Sequence, residues 1–134
     1  MSYTSEKVRY SPQYLENKLK FSPFIAEAAV IGSNKPYLSS IICIRYSVLS
    51  KWAELKRVAF TTYSDLASKP DIEELLISEV KKVNKSVPKK QIIKKFVLLY
   101  KEFDADDDEL TRTKKLRRNY VINKYDEIVE AIYS

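Results

Sequence analysis

The chain has 134 residues, 45% of them hydrophobic and 12% aromatic, enough for one domain with its own core and too apolar for a disordered chain. It has no histidine, one cysteine and one glycine, which excludes a disulfide framework, a thiolate zinc set and Ser-His or Cys-His nucleophile pairs. Its 24 basic residues against 18 acidic ones give a net charge of +6, which favours an anionic partner without naming it. In chain order, "YSPQYLENKLKF" offers Ser11 as an N-cap, Pro12 at the first helical position and Leu15 and Leu19 on one face, a short helix. Two strand-like runs, 26–31 and 38–46, flank Gly-Ser-Asn-Lys-Pro and predict a hairpin whose second strand, rich in isoleucine and containing Cys43, is central to a sheet. Cys43 reads as a small buried hydrophobe.

A helix over Val48–Arg57 is expected next, with Trp52 and Leu55 facing inward, followed by the irregular "AFTTYSDLASKP". Ser68 with Asp71 fits a capping box for a helix whose stripe is Ile72, Leu75, Leu76, Val80 and Val83, ending before Pro88. "IIKKFVLLYKEF" reads as a strand, and a last helix is expected from about Thr113, with Leu116, Tyr120, Ile128, Val129 and Ile132 as core contacts. Strands and helices mix without regular alternation, so the predicted fold class is α+β, a small domain with a roughly three-stranded sheet packed by helices. The longest apolar runs fall far short of the roughly 18 residues needed to span a bilayer. The N-terminus shows no signal-peptide pattern, so a cytoplasmic protein is expected, with membrane association left open.

Three stretches invite a chemical reading. Residues 81–95 carry seven lysines but no aromatic residues on which bases could stack, which favours a solvated surface. The acidic run from Glu102 to Glu109 lacks the glycine that a calcium loop requires at its bend, and it reads as a solvated turn. "ELTRTKKLRR", residues 109–118, places five cations behind those carboxylates, and Lys114 and Lys115 near an expected helix start oppose the helix dipole. A solvated helix start and a phosphate or carboxylate site both remain open on these grounds. Scarcity of glycine adds one constraint. About nine glycines are usual in a chain this long, and loops that wrap phosphates in backbone N–H groups depend on them, so a nucleotide must be held mainly by another domain or chain.

"ELTRTKKLRR" behind "FVLLYKEFDADD" resembles the C-terminal lysine motif of AMP-forming acyl-CoA synthetases, in the form used by their long-chain fatty acyl branch. The general motif is Pro-x-Thr-x-Ser-Gly-Lys-x-x-Arg. Thr111, Thr113, Lys115 and Arg118 take its Thr, Ser, Lys and Arg places, Glu109 stands in the proline place, and Lys114 in the glycine place. "YSPQYLENKLKFSPFIAEAAVIG" resembles the segment after that family's interdomain hinge, with Pro12 and Glu16 in its recurring Pro and Glu places. "WAELKRVAFTTYSDLASKP" is also similar to the long-chain branch, so the likeness spans residues 10–133.

The resemblance implies the small mobile C-terminal cap of a ligase whose large N-terminal domain, holding ATP and fatty acid, is absent from residues 1–134. It implies acyl-adenylate formation from fatty acid and ATP, then thioester formation with CoA, with ATP, CoA and Mg2+ serving the complete enzyme and none bound firmly by this domain alone. Lys115 is the implied adenylation lysine, and Thr111, Thr113 and Arg118 support the motif. In "SEKVRYSP" the family's glycines are missing, with Glu6 and Lys7 near their places, and Lys7 and Arg9 are the residues expected to face CoA. The implied partners are the N-terminal adenylation domain, fatty acid and CoA, with no nucleic acid and with peripheral membrane contact of the full enzyme left open. The competing readings are a basic module for nucleic acid or anionic lipid, and a relative of the family used only for interaction.

Overall fold

A computed structural model describes residues 2–5 and 7–133. Its centre is a three-stranded sheet of order β3-β4-β5, with β3 at Ile25–Ile31, β4 at Leu38–Ile44 and β5 at Ile93–Leu98. The hairpin expected from the sequence is present: β3 and β4 run antiparallel. β5 runs parallel to β4, and such a connection needs a long crossover, here made of three helices. A separate ribbon at the N-terminus pairs β1 (Ser2–Tyr3) with β2 (Arg9–Tyr10).

Side chains alternate across a strand, and here both faces are covered. Leu38, Ile42 and Ile44 of β4 join one core, with α1 (Pro12–Lys20), α2 (Tyr46–Leu55), α3 (Tyr63–Ala67) and α4 (Pro70–Asn84). Ile41 and Cys43 point the other way, into a second core with α5 (Arg118–Lys124) and α6 (Asp126–Tyr133). All seven residues of β4 are therefore buried, as the run of Ile41, Ile42, Cys43 and Ile44 implied, and Ser39 and Ser40 are buried with them. Burial pushes the Cys43 thiol pKa well above its ordinary value, so it behaves as an inert hydrophobe. Among the described residues, no helix is long and apolar enough to cross a membrane.

Helix α1 starts as its sequence predicts, with Ser11 Oγ accepting from Tyr14 N–H at 3.3 Å and Pro12 in the first turn. Elsewhere the local rules chose differently. Ser68 does not cap α4: its hydroxyl donates to Asp65 O at 2.7 Å, at the end of α3. The capping pair lies one helix earlier, where Thr62 Oγ1 accepts from Asp65 N–H at 3.1 Å and the Asp65 carboxylate accepts from Thr61 N–H at 2.9 Å. Helix α4 begins instead at Pro70, whose ring holds Lys69 extended. Leu55 is not inward: it is 84% exposed, because α2 turns Leu49, Ala53 and part of Trp52 to the core and Leu55 falls outside that stripe.

Gly32 follows β3 and is required by space. A Cβ there would come within 2.3 Å of Leu38 Cδ2 and 3.0 Å of Tyr10 Cζ, both from buried side chains. Gly32→Ala should therefore destabilise the domain by about 1–3 kcal/mol, the usual cost of overpacking a filled core. A urea titration checks this: the midpoint should fall at unchanged slope, and an unmoved midpoint would refute the steric argument.

Candidate active site

The stretch that the sequence singles out forms a small hairpin, with Leu110 bridged to Leu116. Thr111 N–H donates to Lys115 O and Lys114 N–H to Thr111 O, each at 2.8 Å, so three residues form the tip. In such three-residue loops the last position favours the left-handed region, and Lys114 adopts it with φ 63°. This is the motif's glycine place, and the backbone keeps the glycine conformation although a lysine occupies it. The hydroxyls tighten the tip further: Thr111 Oγ1 accepts from Lys115 N–H at 3.0 Å and lies 3.1 Å from Thr113 Oγ1.

The expected helix start at Thr113 is thus replaced by a turn, and α5 begins at Arg118. A residue in the left-handed region cannot continue a helix, and residues 111, 114 and 115 spend backbone groups on the hairpin. Lys114 and Lys115 consequently do not oppose a helix dipole. Of the expected core contacts, Val129 and Ile132 are buried, Leu116 and Ile128 are partly so, and Tyr120 is 37% exposed.

Two buried carboxylates hold the hairpin at its base. Glu109, just before it, is fully buried, and its carboxylate accepts from the Lys101 ammonium, the Tyr125 hydroxyl and Asp104 N–H, the last at 3.0 Å, with Lys124 Nζ at 3.3 Å. Its carbonyl accepts from Arg117 N–H at 3.0 Å, which joins the two legs. Beyond the hairpin, Arg118 makes a two-pronged bridge to Glu16 of α1, Nε to Oε2 at 2.7 Å and Nη2 to Oε1 at 2.5 Å. Glu16 is 4% exposed, and its Oε2 also accepts from Val30 N–H of β3 at 2.8 Å. The carboxylate therefore ties a helix, a sheet edge and the hairpin together.

These anchors engage two of the five cations and leave Arg112, Lys114 and Lys115 exposed. Arg118 is bound to Glu16, and Arg117 lies against Asp108 and over the Tyr120 ring. The Lys115 side chain is exposed and makes no hydrogen bond or ion pair among the described residues. An unpaired ammonium on a braced loop can be delivered to an anion held by another body at little reorganisation cost.

Residues 1–134 match the family of AMP-binding enzyme C-terminal domains. This chain belongs to that family. Long-chain-fatty-acid–CoA ligase FadD15 of Mycobacterium tuberculosis is 34% identical over 92% of the chain and 21% of its own length. Long chain acyl-CoA synthetase 1 of Arabidopsis thaliana is 28% identical over 90% of the chain and 19% of its length. The chain thus spans about a fifth of the curated relatives it matches. The fold is similar to the adenylation domain of a carboxylic acid reductase from Segniliparus rugosus, solved with AMP and a co-purified carboxylic acid. There the TM-score is 0.76 at 19% identity, covering 98% of this chain and 19% of that one.

In this AMP-binding enzyme C-terminal domain, Lys115, Thr111 and Thr113 meet on one hairpin and Arg118 sits beneath it. Lys7 and Arg9 lie on the β1–β2 ribbon, which binds the β3–β4 loop through Ser5 N–H to Lys35 O at 2.9 Å and Asn34 N–H to Tyr3 O at 3.1 Å. Both are exposed, and no hydrogen bond or ion pair among the described residues joins either to the Lys115 hairpin. Lys7 repeats the behaviour of Lys114: near a family glycine place, it has φ 64°. Glu6 lies outside the described residues.

The acidic run is more than a solvated turn. Asp104 Oδ1 accepts from Asp106 N–H at 3.0 Å, Asp107 pairs with Lys101 at 3.2 Å, and Glu109 is the buried centre. Among the described residues, no group of three or more His, Cys, Asp or Glu could hold a metal ion. From the sequence, Glu109 had only the motif's proline place and no buried role, and Glu16 had no partner. A signal existed for Glu16: with Pro12, Leu15 and Leu19 it completes the inward stripe of α1, and a charge on such a stripe needs a partner.

Burial raises the Glu109 pKa, but hydrogen bonds from Lys101, Tyr125 and Asp104 more than offset it and hold the carboxyl below its ordinary value of 4.5. A depressed folded pKa supplies stability that is complete above 4.5 and lost as pH falls through the folded value. The urea midpoint should accordingly drop on acidification below pH 4.5, with a smaller drop in Glu109→Gln. Identical acid profiles for the two proteins would refute Glu109 as a source of that loss.

Proposed function

We propose that this chain is the C-terminal cap of a long-chain fatty acid–CoA ligase and that Lys115 is its adenylation lysine. In the first half-reaction the fatty acid carboxylate attacks the α-phosphorus of ATP and pyrophosphate leaves, giving acyl-adenylate. In the second the CoA thiol attacks the acyl carbon, its proton is lost, and AMP leaves. Negative charge gathers on the reacting oxygens in the first step, and one ammonium brought in by the cap orients the carboxylate and stabilises that charge. Lysine suits this task as a compact point charge on a flexible stem.

The observation that carries the proposal is the unpaired Lys115 ammonium on a hairpin braced by Glu109 and by the Arg118–Glu16 bridge. Thr111 and Thr113 shape the tip that presents it. The remainder of the nucleotide site belongs to an N-terminal domain outside residues 1–134, since the single glycine here is spent on packing. Among the described residues, no group of three or more carboxylates is placed to hold magnesium. Lys7 and Arg9 are the cations available to CoA phosphates when the N-terminal ribbon faces the active site. A basic module for nucleic acid or lipid has less support, since the most positive segment lacks stacking groups.

The deciding experiment assays the two half-reactions separately in the complete protein carrying Lys115→Ala. Selective loss of adenylation supports the proposal. Equal loss in both steps, or no loss, overturns it.

A further inference from the structure

β5 is the outer strand of the sheet, and among the described residues no strand pairs with its free side. Leu99 N–H donates to Ile42 O at 2.9 Å, so its backbone groups face β4. Backbone direction alternates along a strand, and the N–H and C=O groups of Phe96 and Leu98 therefore face outward. A register shift between Ile93 and Lys95 reverses that alternation and turns Ile93 to the same edge, where it is already covered: the Asn84 amide accepts from Ile93 N–H at 2.9 Å and donates to Ile93 O at 3.0 Å. Nothing among the described residues does the same for Phe96 or Leu98.

An open groove of about 840 Å³ follows this edge, with Ile77 and Val80 of α4 on one wall, Ile128 and Ile132 of α6 on the other, and Phe96 and Val97 along β5. A second hollow of about 200 Å³ shares Glu73, Phe96 and Val97, so the channel continues along the strand. Three lysines, Lys81, Lys94 and Lys95, also line the groove, and none has an ion-pair partner among the described residues. Against them stands only Glu73. The lysine-rich segment 81–95, unused by the Lys115 chemistry, thus borders an apolar channel beside an unfinished sheet.

Each feature narrows the occupant. A second copy would bring its own Lys81, Lys94 and Lys95 to the same groove, and like charges gathered along one seam disfavour that pairing. A lipid chain would fill the apolar walls but leave the backbone groups of Phe96 and Leu98 against hydrocarbon, which is costly. An extended peptide satisfies those groups, and its side chains, directed in turn to the α4 wall and the α6 wall, suit a groove that is apolar on both walls and basic at its rim. We propose that the free edge of β5 docks an extended polypeptide segment with an apolar centre and acidic ends, which adds to the sheet as a fourth strand. Its apolar side chains pack in turn against α4 and α6, and its terminal carboxylates meet Lys81 and Lys94. This inference does not rest on the ligase reading.

The probe is a blocked heptapeptide, Glu-Glu-Ile-Val-Val-Glu-Glu, titrated into the 134-residue chain while amide hydrogen exchange is followed residue by residue. Exchange at Phe96 and Leu98 should slow by about tenfold or more at saturation. Lys81→Glu combined with Lys94→Glu, both at exposed positions, should weaken binding by about tenfold. The proposal is overturned if millimolar peptide leaves the two amides unprotected. It is equally overturned if a lysine-for-glutamate peptide or one methylated on alternate backbone nitrogens binds as well, or if palmitate or anionic vesicles protect the edge and the peptide does not.

Discussion

Lys115→Ala in the complete protein is expected to slow acyl-adenylate formation by on the order of a hundredfold or more, the usual cost of removing one preorganised group that meets developing charge. Thioester formation from supplied acyl-adenylate should proceed at close to the unaltered rate, because its charge develops on the acyl oxygen and the departing AMP, and Lys115 is assigned to neither. Structure adds a control that sequence could not supply. The Lys115 side chain is exposed and unpaired, so its removal should change folding stability by less than about 0.5 kcal/mol. A kinetic loss accompanied by a large fall in the urea midpoint would point to a damaged hairpin, and a half-reaction assay showing equal losses would remove Lys115 from the chemistry.

Arg118→Ala should have the opposite character, a stability effect first. It strips the two-pronged partner from Glu16, which is 4% exposed and, among the described residues, keeps only the Val30 N–H. Leaving a buried carboxylate uncompensated typically costs about 3–5 kcal/mol, and the lower end applies because Arg118 itself is 30% exposed. Against a typical domain stability of about 5–15 kcal/mol this is a severe loss. Glu16→Gln should be milder, since the amide oxygen still accepts from Val30 and the freed guanidinium turns to water. Combining the two changes should recover part of the Arg118→Ala loss, because no charge is then left buried alone. Denaturant titrations of the three variants provide the check, and strictly additive losses would contradict a direct coupling.

Sequence by itself determined what depends on near neighbours. Ser11 and Pro12 start α1, the two apolar runs around Gly32 make the hairpin, and the stripe from Ile72 to Val83 makes α4, since caps, turn residues and periodicity act within a few positions. Double-sided burial of β4 was legible for the same reason. The ordered motif around Lys115 was legible too, together with the recurring Pro12 and Glu16 far upstream.

Tertiary structure alone decided which local signals won and which charges were buried. The capping pair at Thr62 and Asp65 prevailed over the one at Ser68 and Asp71, Leu55 fell outside its helix's inward stripe, and the expected helix at Thr113 became a hairpin. Glu16 and Arg118 are 102 positions apart, and no local rule shows that they meet. A buried carboxylate is tolerable only where distant groups converge to repay its lost hydration, so the roles of Glu16 and Glu109 arise from the packed fold rather than from their sequence neighbourhoods.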